Sequence, residues 1–385
     1  MKEGRRPRDR NRDRNLTVTV GLDVGDEFTR ICILDAEGAI VEEGRVATIH
    51  DSIRQRFAEL PRSRIALEVG KHSPWIADLL EELGHEVFVA NARKLRLIFQ
   101  EPVKDDRLDA ARLARAARFD PQLLAPIRHR SLDARADREI LRARDAIVRV
   151  RTGLINHLRC VVKSFGSRLP TCDADSFHTQ AAPHIPPDLQ SSLAPLVDTI
   201  RDLTARMRGF DKKIEALARA KYPAALLLRS VTGVGPITSL AYVLTIEDPG
   251  RFKKSRDVGS YIGLTPRRDR SGESDRQLRI TKAGDRMLRR LLVQCAHYIL
   301  RCNAPDSDLR RWGLAYKEKG GKNASKRAVV ALARKLAVLM HRLWTNREAY
   351  EPLHHAQRIA PRVPDSSSPP PDAPPEEPDS QPDPK

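Results

Sequence analysis

The 385-residue chain is long enough for two or three domains, each with its own core. Its formal net charge of +18 and pI near 10.0 favour a polyanion, most simply nucleic acid, as partner. Aromatic residues make up only 5% of the chain, so base stacking is not expected to dominate binding. The five cysteines are scattered, without a C-x-x-C pair or zinc-type spacing, and indicate free thiols of a reducing compartment. Since there is no long apolar run and no signal-peptide core, we expect a cytoplasmic protein without membrane contact.

Both ends of the chain are predicted to be disordered. Residues 1–15 hold six Arg, one Lys and three acids without apolar periodicity, which is typical of a basic arm. Residues 351–385 form a tail rich in Pro, Asp, Glu and Ser. Because the tail is acidic, the rest of the chain is more basic than the whole, which strengthens the expectation of a nucleic-acid partner.

Residues 16–125 are predicted to form an α/β domain. The predicted strands are Thr17–Gly25, Phe28–Leu34, Ile40–Val46, Arg64–Gly70 and His85–Ala90, and the predicted helices are Ser52–Leu60, Pro74–Leu83, Ala92–Phe99 and one that begins at Asp106. Three strands, then helix, strand, helix, strand and helix, is the order of the RNase H-like fold. In that topology the first and fourth strands lie side by side at the centre of the sheet.

Four acids stand out in this domain. Asp23 and Glu68 lie at the ends of the first and fourth strands, and Asp106 and Asp109 share one face of an Ala-rich helix's first turn. Helix capping would explain the aspartate pair alone, and a solvent-facing strand end would explain either other acid alone. Together they predict a pocket for two Mg²⁺ ions about 4 Å apart, which would neutralise the carboxylates and clamp a phosphodiester. The acids nearest to them in sequence are expected to take no part: Asp26, Glu27, Glu101 and Asp105.

Residues 126–222 carry heptad patterns. Ile140, Ile147, Leu154 and Val161 recur every seven residues, and a second apolar set from Leu193 to Leu217 alternates steps of three and four. The patterns predict two long helices of coiled-coil type. Pairing within one chain and pairing across a dimer are both compatible with them.

Residues 223–350 are predicted to form a mainly α-helical domain with a helix-hairpin-helix-like turn. Gly233-Val234-Gly235 lies between two apolar segments, and backbone N–H groups of such a turn can meet a DNA phosphate. A plain connector between helices is the alternative. Helices Lys282–Arg301 and Lys326–Trp344 are expected to close the domain.

Residues 251–290 are dense in Arg and Lys and contain a Gly-flanked serine, Ser271. A serine hydroxyl can attack phosphorus where cations neutralise the phosphate and a base takes its proton. Without a nearby His, the local sequence favours a turn serine in a phosphate-binding loop, and Ser274 is equally eligible. The expected phosphate contacts here are Arg267, Arg268, Arg270 and Lys282.

From Thr17 to Trp344 the chain resembles the DEDD transposases of insertion sequences, described as bridge-RNA-guided serine recombinases. The motifs that carry the resemblance are Gly21-Leu22-Asp23, Leu67-Glu68, Lys104-x-Asp106-x-x-Asp109-Ala110, Gly233-Val234-Gly235-Pro236, Arg251-Phe252, and Tyr261-Ile262-Gly263-Leu264-Thr265-Pro266-Arg267 with Ser271-Gly272. Singly they are weak, whereas their order and spacing together are specific. One departure is Val69-Gly70-Lys71-His72-Ser73 after Glu68, where many members have a small residue, Thr and Gly.

The resemblance implies roles for the residues already singled out. It maps the Mg²⁺-binding acids of a RuvC-like domain onto Asp23, Glu68, Asp106 and Asp109, and a nucleophile that forms a phosphoserine link with DNA onto Ser271. It further implies donor and target DNA and a noncoding guide RNA as partners. A homodimer or homotetramer and a nucleoid-associated location in a prokaryotic cell are implied as well.

The sequence thus predicts a transposase that cuts and rejoins DNA through a covalent phosphoserine. The first alternative is a RuvC-like junction nuclease in which water attacks and Ser271 only binds phosphate. The second is a non-catalytic architectural nucleic-acid binder, whose binding would depend steeply on salt. The four-acid set argues against the second alternative.

Overall fold

A computed structural model describes residues 18–91, 106–272 and 274–354, and for residues 106–108 the backbone alone. The predicted basic arm, most of the acidic tail and the predicted helix Ala92–Phe99 lie outside these residues. The chain forms two compact units that meet in sequence at Arg130 and Ser131. Each unit is described by itself.

The first unit contains a five-stranded mixed sheet. Its elements are β1 (Thr19–Val24), β2 (Phe28–Leu34), β3 (Ile40–Ala47), α1 (His50–Ala58), β4 (Arg64–Glu68), α2 (Ser73–Glu82), β5 (Glu86–Ala90), α3 (Asp106–Phe119) and a 3₁₀ turn at Pro121–Leu124. The strand order is β3-β2-β1-β4-β5. β1 pairs antiparallel with β2 and parallel with β4, and β4 pairs parallel with β5. The prediction that the first and fourth strands are central neighbours is therefore confirmed.

The two faces of the sheet have different apolar cores because side chains alternate along each strand. Val20 and Leu22 point into a large core shared with α1 and α2. The opposite face is covered by α3, whose alanines pack on Cys32 and Leu34 of β2. These small side chains let α3 lie close against the sheet.

Over its described residues, 131–272 and 274–354, the second unit has helices and one hairpin as its regular elements. Its elements are α4 (Leu132–Ser164), α5 (Phe177–Ala181), α6 (Gln190–Lys221), α7 (Pro223–Leu228), α8 (Pro236–Ile246), α9 (Asp257–Tyr261), β6 (Pro266–Ser271), β7 (Ser274–Ile280), α10 (Arg286–Ile299), α11 (Asp308–Glu318), α12 (Ala324–Asn346) and 3₁₀ turns at Ala182–His184, Pro187–Leu189 and Pro249–Arg251. α8 is buried along its whole length except for its first residues, and the Tyr242 hydroxyl in it donates to the Ala337 carbonyl of α12 at 2.7 Å. α8 is thus the centre of this unit's core.

The two long predicted helices exist and pack antiparallel within the chain. Near one end of the contact Arg144 of α4 pairs with Asp211 of α6 at 2.5 Å, and near the other end Val162 and Leu193 share one apolar cluster. The buried stripe of α4, however, is one residue away from the predicted heptad. It runs through Ala134, Leu141, Ile155, Leu158 and Val162, whereas Val150, at an intervening site three residues after the predicted Ile147, is 55% exposed.

A buried arginine explains why the predicted heptad of α4 differs from its buried stripe. Arg151 sits in the α4–α6 contact, where its Nη1 donates to Asp175 at 2.6 Å and to Thr204 at 3.1 Å. A charged residue at a core position interrupts the true heptad in the sequence and leaves the neighbouring apolar stripe as the more regular one. The coiled-coil class of these helices stays a prediction.

Within the described residues, no helix combines the length and apolar character that a membrane span needs.

Candidate functional site

Asp23 and Glu68 lie at the same level on neighbouring strands. β1 and β4 are parallel, with Leu22 opposite Leu67 and Gly21 opposite Ala66, so Asp23 and Glu68 are the next pair along. Adjacent strands are about 4.8 Å apart, and residues at one level of a parallel pair point to the same face. Both acids are half-buried at the carboxyl edge of the sheet. The structure thus brings together two of the four predicted metal ligands.

That shared face is the one covered by α3. Gly21, two residues before Asp23, lies against the backbone of Ala110, and Ala66, two residues before Glu68, packs in the cluster of Leu113. Alternation therefore places both acids on the α3 side of the sheet.

The direction of α3 brings its first turn toward the same edge. At its carboxyl end, the Ala117 carbonyl accepts from Arg64 at the start of β4, at 3.5 Å, and Arg118 donates to Ala36 in the β2–β3 turn. Both contacts lie at the edge of the sheet opposite to Asp23 and Glu68. α3 therefore runs antiparallel to β1 and β4, and its amino end, which carries Asp106 and Asp109, is directed toward the two strand acids.

The structure describes the side chain of Asp109 but not that of Asp106. The Asp109 carboxylate lies 3.4 Å from Nη1 of Arg112, one turn further along α3, and its side chain is 40% exposed. For Asp106 only the helical backbone is described. Among the described side chains, which exclude that of Asp106, no three Asp, Glu, His or Cys residues form a group suited to a metal ion. The four-acid pocket therefore stays a prediction.

The segment after Glu68, where the sequence departs from the resembling family, is held by a polar network. The Gly70 N–H donates to Ser73 Oγ at 3.0 Å, and His129 Nε2 lies 3.0 Å from the same oxygen. His72 accepts from the Trp75 indole through Nδ1 at 3.1 Å and lies 3.3 Å from Asp26 through Nε2. Asp26, an acid expected to take no part in metal binding, thus has a local partner on this loop.

The basic stretch around Ser271 forms an exposed β-hairpin that the sequence did not predict. β6 and β7 pair antiparallel with Ser271 opposite Ser274, and Gly272 takes a left-handed φ of +55° between them. At the base of the hairpin the Lys282 N–H donates to the Gly263 carbonyl at 3.1 Å. The strands carry almost only exposed residues, so the hairpin projects its tip from a fixed base.

The hairpin register places two of the predicted phosphate contacts on the face opposite to Ser271. Arg268 and Arg270 both lie 3.3 Å from Asp275, on one face. Ser271 lies on the other face, which it shares with Arg276 through the pairing of residues 269 with 276 and 271 with 274. Arg276 was missed in the sequence because no hairpin was predicted. The tight Gly272 turn with alternation on either side was the signal that could have found it.

The Gly233-Val234-Gly235 turn lines an open groove, whose other side is formed largely by α10. The turn connects α7 to α8, Gly233 has a φ of +84°, and Gly235 is the N-cap residue of α8. The groove has a volume of about 610 Å³ and is also lined by Arg229 and Arg301. Backbone donors at a helix start beside two guanidinium groups are suited to an anion. Whether the turn is a helix-hairpin-helix stays a prediction.

Comparison with known proteins gives the class of this chain. Residues 20–166 match the family model of a DEDD transposase domain, described as "Transposase", and residues 225–310 match the model described as "Transposase IS116/IS110/IS902 family". A DEDD domain implies an RNase H-like fold and, in general, dependence on a divalent metal ion. The chain is therefore a transposase, an enzyme that acts on DNA.

Relatives cover most of the chain. A protein of Sinorhizobium fredii with a transposase name, y4pF/y4sB, is 30% identical over 302 residues, or 76% of each chain. A family 20 transposase of Pseudomonas aeruginosa is 29% identical over 86% of this chain and 98% of its own length. The transposase for insertion sequence element IS1111A of Coxiella burnetii is 26% identical over 86% of this chain and 90% of its own length. The chain belongs to the IS116/IS110/IS902 family of insertion-sequence transposases.

Proposed function

We propose that this transposase cuts and rejoins DNA through a covalent bond between Ser271 and a DNA phosphate, assisted by a divalent-ion pocket. The pocket would be formed by Asp23, Glu68, Asp106 and Asp109. The observation that carries the proposal is the position of Asp23 and Glu68 at one level of two parallel strands, beneath the end of α3 that bears the two aspartates. Four carboxylates held together repel one another, so the set would lower stability unless it binds cations.

The acids suit hard cations. Carboxylate oxygens are the ligands that Mg²⁺ prefers, and a pair on adjacent strands with a third acid on a covering helix can surround an ion from two sides. Two Mg²⁺ ions bound there would polarise the scissile phosphate and offset the charge that develops on it. The role of the protein is to hold the carboxylates in place, which the close contact of α3 with β1 supports.

Ser271 is proposed as the nucleophile. Its hydroxyl would lose its proton as Oγ attacks phosphorus, and the P–O3′ bond would break with a proton taken up by the leaving 3′ oxygen. The serine would remain joined to the 5′ phosphate until the 3′ hydroxyl of the exchanged strand attacks phosphorus and displaces it. The hairpin supports this role because a two-stranded ribbon of this width can enter the major groove of DNA. Its exposed tip carries Ser271, and Arg276 on the same face is suited to neutralise the phosphate.

The remaining basic groups are proposed to hold nucleic acid. Arg267, Arg268 and Arg270 line the hairpin, and Lys282 at its base is exposed. The Gly233 and Gly235 turn, with its groove and two arginines, is proposed as a second phosphate contact. Together they fit a chain with a net charge of +18.

We further propose donor and target DNA and a noncoding guide RNA as partners, and a homodimer or homotetramer as the working assembly. Two DNA duplexes must be held at once for strand exchange, which a pair of subunits does more readily than one. Exposed apolar side chains on α4, such as Val150, offer a surface for such a contact.

Substitution of the strand acids tests the proposal. In Asp23→Asn and Glu68→Gln we expect joining of DNA that carries the element's ends to fall at least about a hundredfold, since metal assistance contributes several kcal/mol. Calorimetry should show weaker Mg²⁺ binding, and thermal stability should not fall, because like-charge repulsion is relieved. Asp26→Asn is the matched control and should join DNA as the parent does. Equal activity of all four proteins would contradict the proposal.

A further inference from the structure

A row of four charged residues crosses the sheet of the first unit. The β1–β2 pairing places Arg30 opposite Asp23, and the β2–β3 pairing places Arg45 opposite Arg30. With Glu68 on the other side of Asp23, the order across four strands is Glu68, Asp23, Arg30 and Arg45. Residues paired across neighbouring strands share a face, so the two arginines lie on the α3 side with the acids.

The arginine half of the row borders a cavity. Its volume is about 440 Å³, and its lining includes Arg30, Arg45 and Glu43 from the strands and Ala110 from α3. Ala110 directly follows Asp109 in the first turns of α3. The cavity is thus on the same side of the sheet as the strand acids and begins one strand away from Asp23.

The two guanidinium groups are available to a ligand. Within the described part of the chain neither Arg30 nor Arg45 forms an ion pair. Arg45 lies over the exposed Phe28 ring at 4.6 Å from its centroid, which orients the guanidinium before any ligand arrives. Among the lining residues that the structure describes, two arginines accompany a single carboxylate, Glu43, so their summed formal charge is positive.

We propose that Arg30 and Arg45 form a phosphate-binding subsite for the DNA strand that enters the acid pocket. The inference rests on the proposed function of Asp23 and Glu68. The nearness of the arginines to these acids identifies the bound phosphate as one of the DNA strand that enters the acid pocket. A phosphodiester beside carboxylates needs cations on both sides of the reacting position. Divalent ions held by the proposed acid pocket would meet this need on one side, and the arginines would meet it on the other through bidentate, charge-assisted hydrogen bonds.

DNA binding is measured in the presence of a metal chelator, so that the result does not depend on catalysis. A fluorescent single-stranded DNA oligonucleotide is titrated with the full chain at several salt concentrations. In the double variant Arg30→Gln, Arg45→Gln the slope of log affinity against log salt should become shallower by roughly 1.4, because each lost phosphate contact on a single strand removes about 0.7. The Arg30→Lys, Arg45→Lys variant keeps both charges, so it should restore most of the slope.

Arg54→Gln is the matched control. Arg54 lies on α1, on the opposite face of the sheet, where it pairs with Glu82 at 3.0 Å. The Arg54→Gln variant removes one arginine charge away from the row and should leave the slope unchanged, whereas loss of a phosphate contact would lower it by about 0.7. The RNA that co-purifies with each variant is quantified in parallel and should equal that of the parent.

An unchanged slope in the double Gln variant would overturn the subsite. Loss of co-purifying RNA with an unchanged DNA slope would also overturn it, because the arginines would then serve RNA. Neither outcome depends on whether the Asp23→Asn and Glu68→Gln variants join DNA. Failure of the subsite is therefore distinguishable from failure of the proposed function.

Discussion

Gly21 of β1 lies directly against the backbone of Ala110 in α3. A Cβ atom at Gly21 would be only 2.6 Å from the Ala114 nitrogen and closer still to the Ala110 carbonyl oxygen. Neither backbone atom can shift unless the whole helix moves with it. This contact sets the height of α3 above the sheet, and with it the position of the aspartates in its first turn.

A methyl group at Gly21 should therefore displace the helix. In Gly21→Ala we expect about 1–3 kcal/mol of lost stability, the usual cost of overpacking a core, and loss of DNA joining in the protein that remains folded. Chemical denaturation and a joining assay measure the two effects. Gly70→Ala is the control, since a Cβ there meets no atom within 4 Å. If the two variants behave alike, the close approach has no role in the site.

Much of the first unit could be predicted because its strands alternate or are continuously apolar. The observed strands and helices up to Ala90 begin and end within a few residues of the predicted ones, and order alone indicated that β1 and β4 are neighbours. The pairing of Asp23 with Glu68 followed from that order. Arg30 and Arg45 could not be found in the same way, because their place beside the acids depends on the register of two further strands.

The second unit was harder to predict because charge conceals its pattern. Arg268 and Arg270 stand in a strand with no apolar face, so the hairpin resembled a basic loop. Arg151 broke the buried stripe of α4. α11 was also missed, although Ser307 caps it through a hydrogen bond from the Arg310 N–H at 3.1 Å. In each case the local sequence is compatible with more than one local structure, and tertiary contacts determine which one forms.

The two faces of the hairpin should differ in function. Arg276 shares the face of Ser271, so in Arg276→Ala the rate of DNA adduct formation at saturating DNA should fall about a hundredfold, as for loss of a transition-state donor. Arg268→Ala removes the same charge from the other face and should weaken DNA binding while leaving that rate nearly unchanged. A single-turnover assay separates rate from affinity. Equal rates in both variants would show that the faces are equivalent.

The stability of the first unit should depend on pH through His85. The Ser63 N–H donates to Nδ1 of His85 at 3.2 Å, and Nε2 lies 3.0 Å from the Phe57 carbonyl, to which it donates. Burial lowers the pKa of His85 below its ordinary 6.5, so the neutral ring is the folded form.

Because the unfolded chain takes up the proton first, this contribution to stability is complete above pH 6.5 and is lost as the pH falls below it toward the lower folded pKa. Hydrogen exchange of the β4 and β5 amides should accelerate over that range after correction for the intrinsic rate. His85→Gln should flatten the pH dependence, whereas His50→Gln, which alters a ring on the exposed part of α1, should not. A parent protein without the pH dependence would contradict the neutral, buried assignment of His85.

The account is tested most directly by the amino acid that becomes joined to DNA. The protein is incubated with Mg²⁺ and DNA carrying the element's ends, denatured, digested, and analysed by mass spectrometry for a peptide that retains a nucleotide. We predict a phosphodiester on Ser271, its loss in Ser271→Ala, and its persistence in Ser274→Ala, which removes the hydroxyl paired with it across the hairpin. DNA that is cut with no protein attached, or a nucleotide on Ser274, would contradict the proposed chemistry.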